Sequence, residues 1–203
     1  LSKVPLNGIN LNIWKAVGNM RKDLADDWFQ DPLRFKDILY SSYVYKLIKA
    51  NFNGGQYLPK VPELYAVPNE EFTTRKAVQT DFLDRVIYQA AVDHIANELD
   101  NKVIANNVYS VRYNYNNTNN HDYFFFHAVE QWRKFQHQIH DTVNGAMPYL
   151  VATDITSFYD NISADTLKTT LTEHRINVND KPAYDKVVAI VVDQIKKWQS
   201  NTG

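Results

Sequence analysis

Tyr149-Leu150-Val151-Ala152-Thr153-Asp154-Ile155-Thr156-Ser157-Phe158-Tyr159-Asp160-Asn161-Ile162-Ser163 decides how this chain is read. Residues 149–153 are apolar and too few for a helix of their own, which predicts a buried strand delivering Asp154 at its C-terminal edge. Seen alone, such an Asp also suits a turn or a helix cap, and Phe158-Tyr159 also suits an ordinary core. Ser163 has an N-cap side chain, and Ile162 and Leu167 have the spacing of a hydrophobic staple, so a helix is expected just past the turn. Pro182 opens a last helix with Val187, Val188, Val191, Ile195 and Trp198 toward the core, although this Val content also suits a strand.

Working outward, Val129, Trp132, Phe135, Ile139 and Val143 recur every three or four residues, an amphipathic helix ending before Gly145. Residues 113–123 are a polar, Asn-rich loop. Asp81 to Leu99 carries Phe82, Val86, Ala90, Ile95 and Leu99 on one apolar stripe, with Asp81 and Asp84 at its electropositive N-terminal end. Before it, Tyr65-Ala66-Val67 and Arg75-Lys76-Ala77-Val78 are strand-like runs joined through Asn69-Glu70-Glu71, a hairpin. Prolines 59, 62 and 68 exclude helix from Tyr57 to Pro68. Residues 1 to about 50 are expected to be helical, with a helix start at Asp31-Pro32 and a break at Asn53-Gly54-Gly55. Three stretches follow: a helical region 1–53, a middle region 54–144 and a last region 145–203.

The 203 residues are 44% hydrophobic and 13% aromatic, enough for a sizeable core. Cys is absent, which excludes disulfides, thiolate zinc sites and Cys nucleophiles and makes a reducing compartment the easier setting. No run approaches the length of a membrane-spanning helix, so a soluble, cytoplasmic protein without a membrane partner is the expectation. Net charge is -1, so any phosphate partner depends on local Lys and Arg placement. A first residue Leu1 and a last run Ser200-Asn201-Thr202-Gly203 suggest a fragment of a longer chain.

The string from Val151 to Ser163 resembles the first catalytic motif of reverse transcriptases, in particular group II intron, retron and bacterial phage-defence (abortive infection) members with Asp-Ile-x-x-Phe-Tyr/Phe-Asp-Asn-Ile strings. A second region is similar to the same family: Arg75-Lys76-Ala77-Val78, Asp84-Arg85-Val86-Ile87-Tyr88-Gln89-Ala90 and Val108-Tyr109-Ser110-Val111-Arg112 follow the order of its fingers motifs. The resemblance implies an α+β fold, the fingers and partial palm of a right-hand polymerase, predominantly helical with short strands. Regions 54–144 and 145–203 would be fingers-like and the first part of the palm. It further implies an RNA-directed DNA polymerase, a nucleotidyltransferase adding deoxynucleotides to a primer 3′-end, with a role in antiviral defence. Its partners would be an RNA or DNA template-primer and deoxynucleoside triphosphates, with self-assembly open.

In such enzymes two Mg²⁺ (or Mn²⁺) ions clamp the attacking and leaving oxygens. Carried over, Asp154 is the catalytic metal ligand and the Ile155 carbonyl a second metal and substrate contact. Tyr159 crowds the 2′-hydroxyl of the incoming sugar. Arg75 on the hairpin grips the triphosphate in bidentate fashion. Lys76 alternates with it and points away. Lys60, Arg85 and Arg112 are weaker nucleic-acid contacts, and for the two arginines a structural role is favoured, as an exposed cation or as a partner for Asp84 or Asp81.

Two departures stand out. Relatives carry Pro-Lys where this chain has Pro68-Asn69, leaving Lys60 as a substitute cation. No Tyr/Phe-x-Asp-Asp follows Asp154, and a Gly-Leu-Pro-x-Gly motif would begin close to Gly203, so these residues alone are expected to be inactive. Leu24-Ala25-Asp26-Asp27 lies upstream in a helical context and has no catalytic role. The alternative to catalysis is an interaction or oligomerisation module on the same fold. A His-based metal hydrolase using His137 and His140, with His121 or His127, ranks below both because no Glu completes the pattern.

Overall fold

The computed structural model describes residues 4–6, 8–24, 42–51, 57–68, 73–101, 108–114, 124–145, 147, 149–155, 162–175 and 178–200. The first described residues form a hairpin, which corrects the helical expectation for the start of the chain. Strands β1 (Val4–Leu6) and β2 (Ile9–Leu11) pair antiparallel with Leu6 opposite Ile9. This register leaves a two-residue loop, and Gly8 sits at φ 79°, the left-handed conformation that Asn-Gly loops supply without a Cβ clash. Helix periodicity holds for α1 (Ile13–Asp23) and α2 (Tyr43–Asn51). Asp31-Pro32 lies outside the described residues.

The middle hairpin is present: β3 (Glu63–Pro68) and β4 (Thr74–Gln79) pair antiparallel. Val67 stands opposite Arg75 and Ala66 opposite Lys76 in the register. Its connection at Asn69-Glu70-Glu71 lies outside the described residues.

Helix α3 (Phe82–Asp100) is the centre of the core. It starts where expected because the Asp81 carboxylate accepts the Leu83 N–H at 2.9 Å, satisfying a donor the helix cannot pair internally. Its buried apolar residues come in adjacent pairs, Phe82-Leu83, Val86-Ile87, Ala90-Ala91 and Ile95-Ala96. Pairing widens the apolar stripe until two sides of the helix are covered, by α1 and by α6 (Lys181–Gln199), with β2 touching both α3 and α6. The Val-rich last segment is therefore helix: Asp180 caps it, Pro182 occupies its first turn, and Val187, Val188 and Val191 are buried. Helix α5 (Ala164–His174) packs on α6, where the Tyr184 hydroxyl donates to the Leu171 carbonyl at 2.8 Å. The Ser163 hydroxyl accepts the Thr166 N–H at 3.0 Å, as its sequence position predicts. One hydrophobic core takes residues from all three stretches: Leu11, Met20 and Ile48; Val86 and Ile87; Val187 and Val191.

Helix α4 (Ala128–Asn144) forms as its spacing predicts, but its apolar stripe is not a core face. Trp132 is 57% exposed, Val129 and Phe135 are exposed, and the buried residue of the helix is Gln131. Residues 149–155 differ more. They have no regular secondary structure and all are exposed, Tyr149 to 88%. The buried strand expected there is absent: a strand of that kind needs hydrogen-bonded neighbours and covered faces, and the two sheets among the described residues pair only β1 with β2 and β3 with β4. The fold is α+β, and no described helix is long and apolar enough to cross a membrane.

Candidate functional site

Asp154 is exposed, and its Oδ1 accepts the N–H of Ile155 at 2.8 Å, a local contact. Ile155 is also exposed. Asp154 therefore does not stand at the end of a central strand. A carboxylate and the Ile155 carbonyl are hard oxygen donors of the kind Mg²⁺ takes, right in chemistry and short in number for two ions. No group of three His, Asp or Glu side chains among the described residues could hold a metal ion. Tyr159 lies outside the described residues. His137 and His140 are exposed on α4, and His140 faces Asn144 at 3.0 to 3.2 Å.

Lys60 is brought against the first turn of α3. Its backbone N–H donates to Asp84 Oδ2 at 2.8 Å, and its ammonium pairs with Asp81 Oδ2. The cation proposed to replace the missing Pro-Lys contact is thus engaged by the helix cap. Arg85 is half-exposed on the same turn. Arg75 is fixed at the Val67 position of the hairpin register.

Arg112 is buried and structural, as favoured, with a partner the sequence did not identify. Its Nε and a terminal nitrogen donate to the two oxygens of Asp100 at 2.8 and 3.0 Å, and it also donates to the Val108 carbonyl at 3.3 Å. Asp100 Oδ1 accepts the Tyr113 N–H at 3.0 Å as well. This planar two-point pairing ties the end of α3 to the segment that returns toward α4. Beside it, Val111 adopts φ 55°, rare for a β-branched residue.

Asp84 has a role that its place at a helix N-terminus did not suggest. It is 0% exposed, with Oδ2 on the Lys60 N–H and Oδ1 buried without a partner. Burial pushes its carboxyl up to about 6 from an ordinary 3.8, against the lowering effect of the Lys60 N–H. The sequence signal was present: Asp84 lies three residues before Ile87 and seven before Ala91, on the second apolar side of α3. Because the folded state holds the proton more tightly than the unfolded chain, Asp84 favours folding most below pH 4. That contribution falls between about pH 4 and 6 and stays low above, a change of about 3 kcal/mol. In Asp84→Asn this part of the pH dependence should vanish. Urea unfolding of both proteins at pH 4 and pH 7 reads it as a difference of slopes, and parallel slopes would refute it.

No family model, curated protein or solved structure matches the chain.

Proposed function

We propose that this chain is the fingers and first palm segment of a reverse-transcriptase-like nucleotidyltransferase, in which Asp154 and the Ile155 carbonyl hold Mg²⁺ and Tyr159 excludes ribonucleotides. The observation that carries this reading is the ordered run Arg75, Asp84-Arg85, then Asp154-Ile155 with Phe158-Tyr159-Asp160-Asn161-Ile162. Supporting it, Arg75 lies on a two-stranded hairpin directly before the capped helix α3, and Ser163 starts a helix directly after the motif. The metal ions would stabilise charge on the transferring phosphoryl oxygens, and Arg75 would hold the triphosphate. Antiviral defence is the setting that the motif's nearest resemblance suggests.

Primer extension with Mg²⁺, a primed RNA or DNA template and deoxynucleotides, performed with the full product of the gene, tests the proposal. Failure of a folded product to incorporate any nucleotide would overturn it. Residues 1–203 by themselves should incorporate none, because Asp154 supplies one carboxylate where two ions need several. Extension by this fragment, free of contaminating polymerase, would remove the two-ion argument.

A second reading, a noncatalytic interaction module, is favoured by one observation. Tyr149, Leu150 and Val151 stand exposed together, an apolar run of the kind that marks contact surfaces.

A further inference from the structure

Two side-chain oxygens where α3 packs against α6 have no donor. Asp84 Oδ1 and Gln194 Oε1 each lack a hydrogen-bond partner, and both residues are 0% exposed. Removed from water, each carries the cost of a desolvated polar atom. The two residues are in contact, since Gln194 Nε2 donates to the backbone carbonyl of Asp84 itself at 3.0 Å. Trp198, one turn further along α6, rests against the Tyr88 ring with centroids 5.1 Å apart. It does not supply the donor, because its Nε1 is also buried without a partner.

The other carboxylate oxygen of Asp84 has a different task. Oδ2 accepts the backbone N–H of Lys60 at 2.8 Å, which fastens the strap of residues 57–62, leading into β3, to the first turn of α3. A charged acceptor grips an N–H more firmly than a neutral one. A protonated carboxyl, in turn, offers Gln194 Oε1 a hydroxyl that the carboxylate lacks. One proton therefore adds a bond on the α6 side and loosens one on the strap side. Burial and the Lys60 N–H are the two influences on that proton. The charged neighbours have other engagements or stand toward solvent. Lys60 gives its ammonium to Asp81, Lys15 of α1 pairs with Asp93, and Lys196 pairs with Asp165. Arg85 and Lys197 are half-exposed, Asp193 is exposed, and β2 carries no charged residue.

We propose that Asp84 is a proton-operated latch: protonated, it donates from Oδ1 to Gln194 Oε1 and joins α3 to α6; ionised, it gives up that bond and holds the 57–62 strap more firmly through the Lys60 N–H. The strap leads into the hairpin that carries Arg75, so acid loosens the approach to the hairpin while it tightens the helix pair. The latch involves none of the residues assigned to metal binding and holds whether or not Asp154 is catalytic.

NMR titration of the 203-residue chain, following the Asp84 carboxyl carbon, the Gln194 carboxamide and the Lys60 amide together, is the test. Asp84 should titrate near 6, and the Gln194 carboxamide signals should move with the same midpoint as their oxygen gains a donor. Protection of the Lys60 amide, corrected for intrinsic exchange, should fall by about fivefold from about pH 8 to about pH 5, the scale of a charged acceptor becoming neutral. Gln194→Met keeps the side-chain length and removes the acceptor, so the Asp84 midpoint should drop by about one unit, the scale of one hydrogen bond made only by the neutral form. Asp84→Asn carries a donor and an acceptor whatever the pH, and should hold the Lys60 amide at the low protection of the acid form throughout. Gln194 signals indifferent to the Asp84 titration, Lys60 protection that does not fall in acid, or an unchanged or higher Asp84 midpoint in folded Gln194→Met would each overturn the latch. Should Gln194→Met fail to fold, the parent titration and Asp84→Asn decide.

Discussion

Asp154→Asn in the full product of the gene is expected to lower primer extension by about a thousandfold or more while leaving the unfolding midpoint unchanged. The substitution keeps the shape and an acceptor oxygen for the Ile155 N–H, so the local contact survives. It removes the charge that would hold the metal, and metal stabilisation of the transition state is worth several kcal/mol, each 1.4 kcal/mol being about a factor of ten in rate. The exposure of Asp154 makes the stability half of this expectation sharp, because surface substitutions away from special features stay within about 0.5 kcal/mol. Single-turnover extension at saturating Mg²⁺, with thermal unfolding of the same preparations, reads both halves. A variant within a few-fold of the parent would transfer the weight to the noncatalytic reading. A variant that loses activity by unfolding would show that Asp154 is a structural cap.

Asp100→Ala should destabilise the fold by about 3 to 5 kcal/mol, the usual cost of leaving one member of a buried ion pair without the other. Asp100 and Arg112 are both buried, their side chains 6% and 10% exposed, so water cannot replace the lost carboxylate. The Tyr113 N–H loses its acceptor in the same step. Replacing both partners, Asp100→Leu with Arg112→Met, should cost less than Asp100→Ala alone, since no charge is then buried unpaired. Urea unfolding of Asp100→Leu, Arg112→Met and the double variant, beside the parent, measures this as a coupling free energy. A loss under about 1 kcal/mol in Asp100→Ala would mean that the guanidinium finds water or another acceptor, and that the pair does not anchor the segment between α3 and α4.

Several features were legible because their causes are local. A carboxylate or hydroxyl at Asp81 and Ser163 caps a helix through contacts two or three residues away, and both caps form. The β3–β4 hairpin follows from two strand-like runs separated by a short polar connection. The opening hairpin was equally local, since Asn7-Gly8 between Val4-Pro5-Leu6 and Ile9-Asn10-Leu11 is a turn signal. The fate of the run at 149–153 was not legible. Apolarity says that a segment would gain from burial, and it does not say that the neighbouring strands are there to receive it. The stripe on α4 fails for the same reason: Trp132 and Phe135 mark a face, while coverage depends on what packs against it.

The sequence by itself determined the amphipathic helices from Phe82 onward, the β3–β4 hairpin, the caps and the exclusion of thiol chemistry, because these depend on near neighbours and composition. Tertiary structure alone decided which polar residues are buried and with whom. Arg112 was as much a surface cation as an ion-pair member until the chain between them brought it back to Asp100, twelve residues away. Asp84 reads as a helix-end acid in sequence and becomes a carboxyl titrating near 6 because α3 is covered on two sides. Spacing to Ile87 and Ala91 places Asp84 on an apolar side of α3, but the extent of its desolvation is a property of everything packed around it, contributed by elements far apart in the chain.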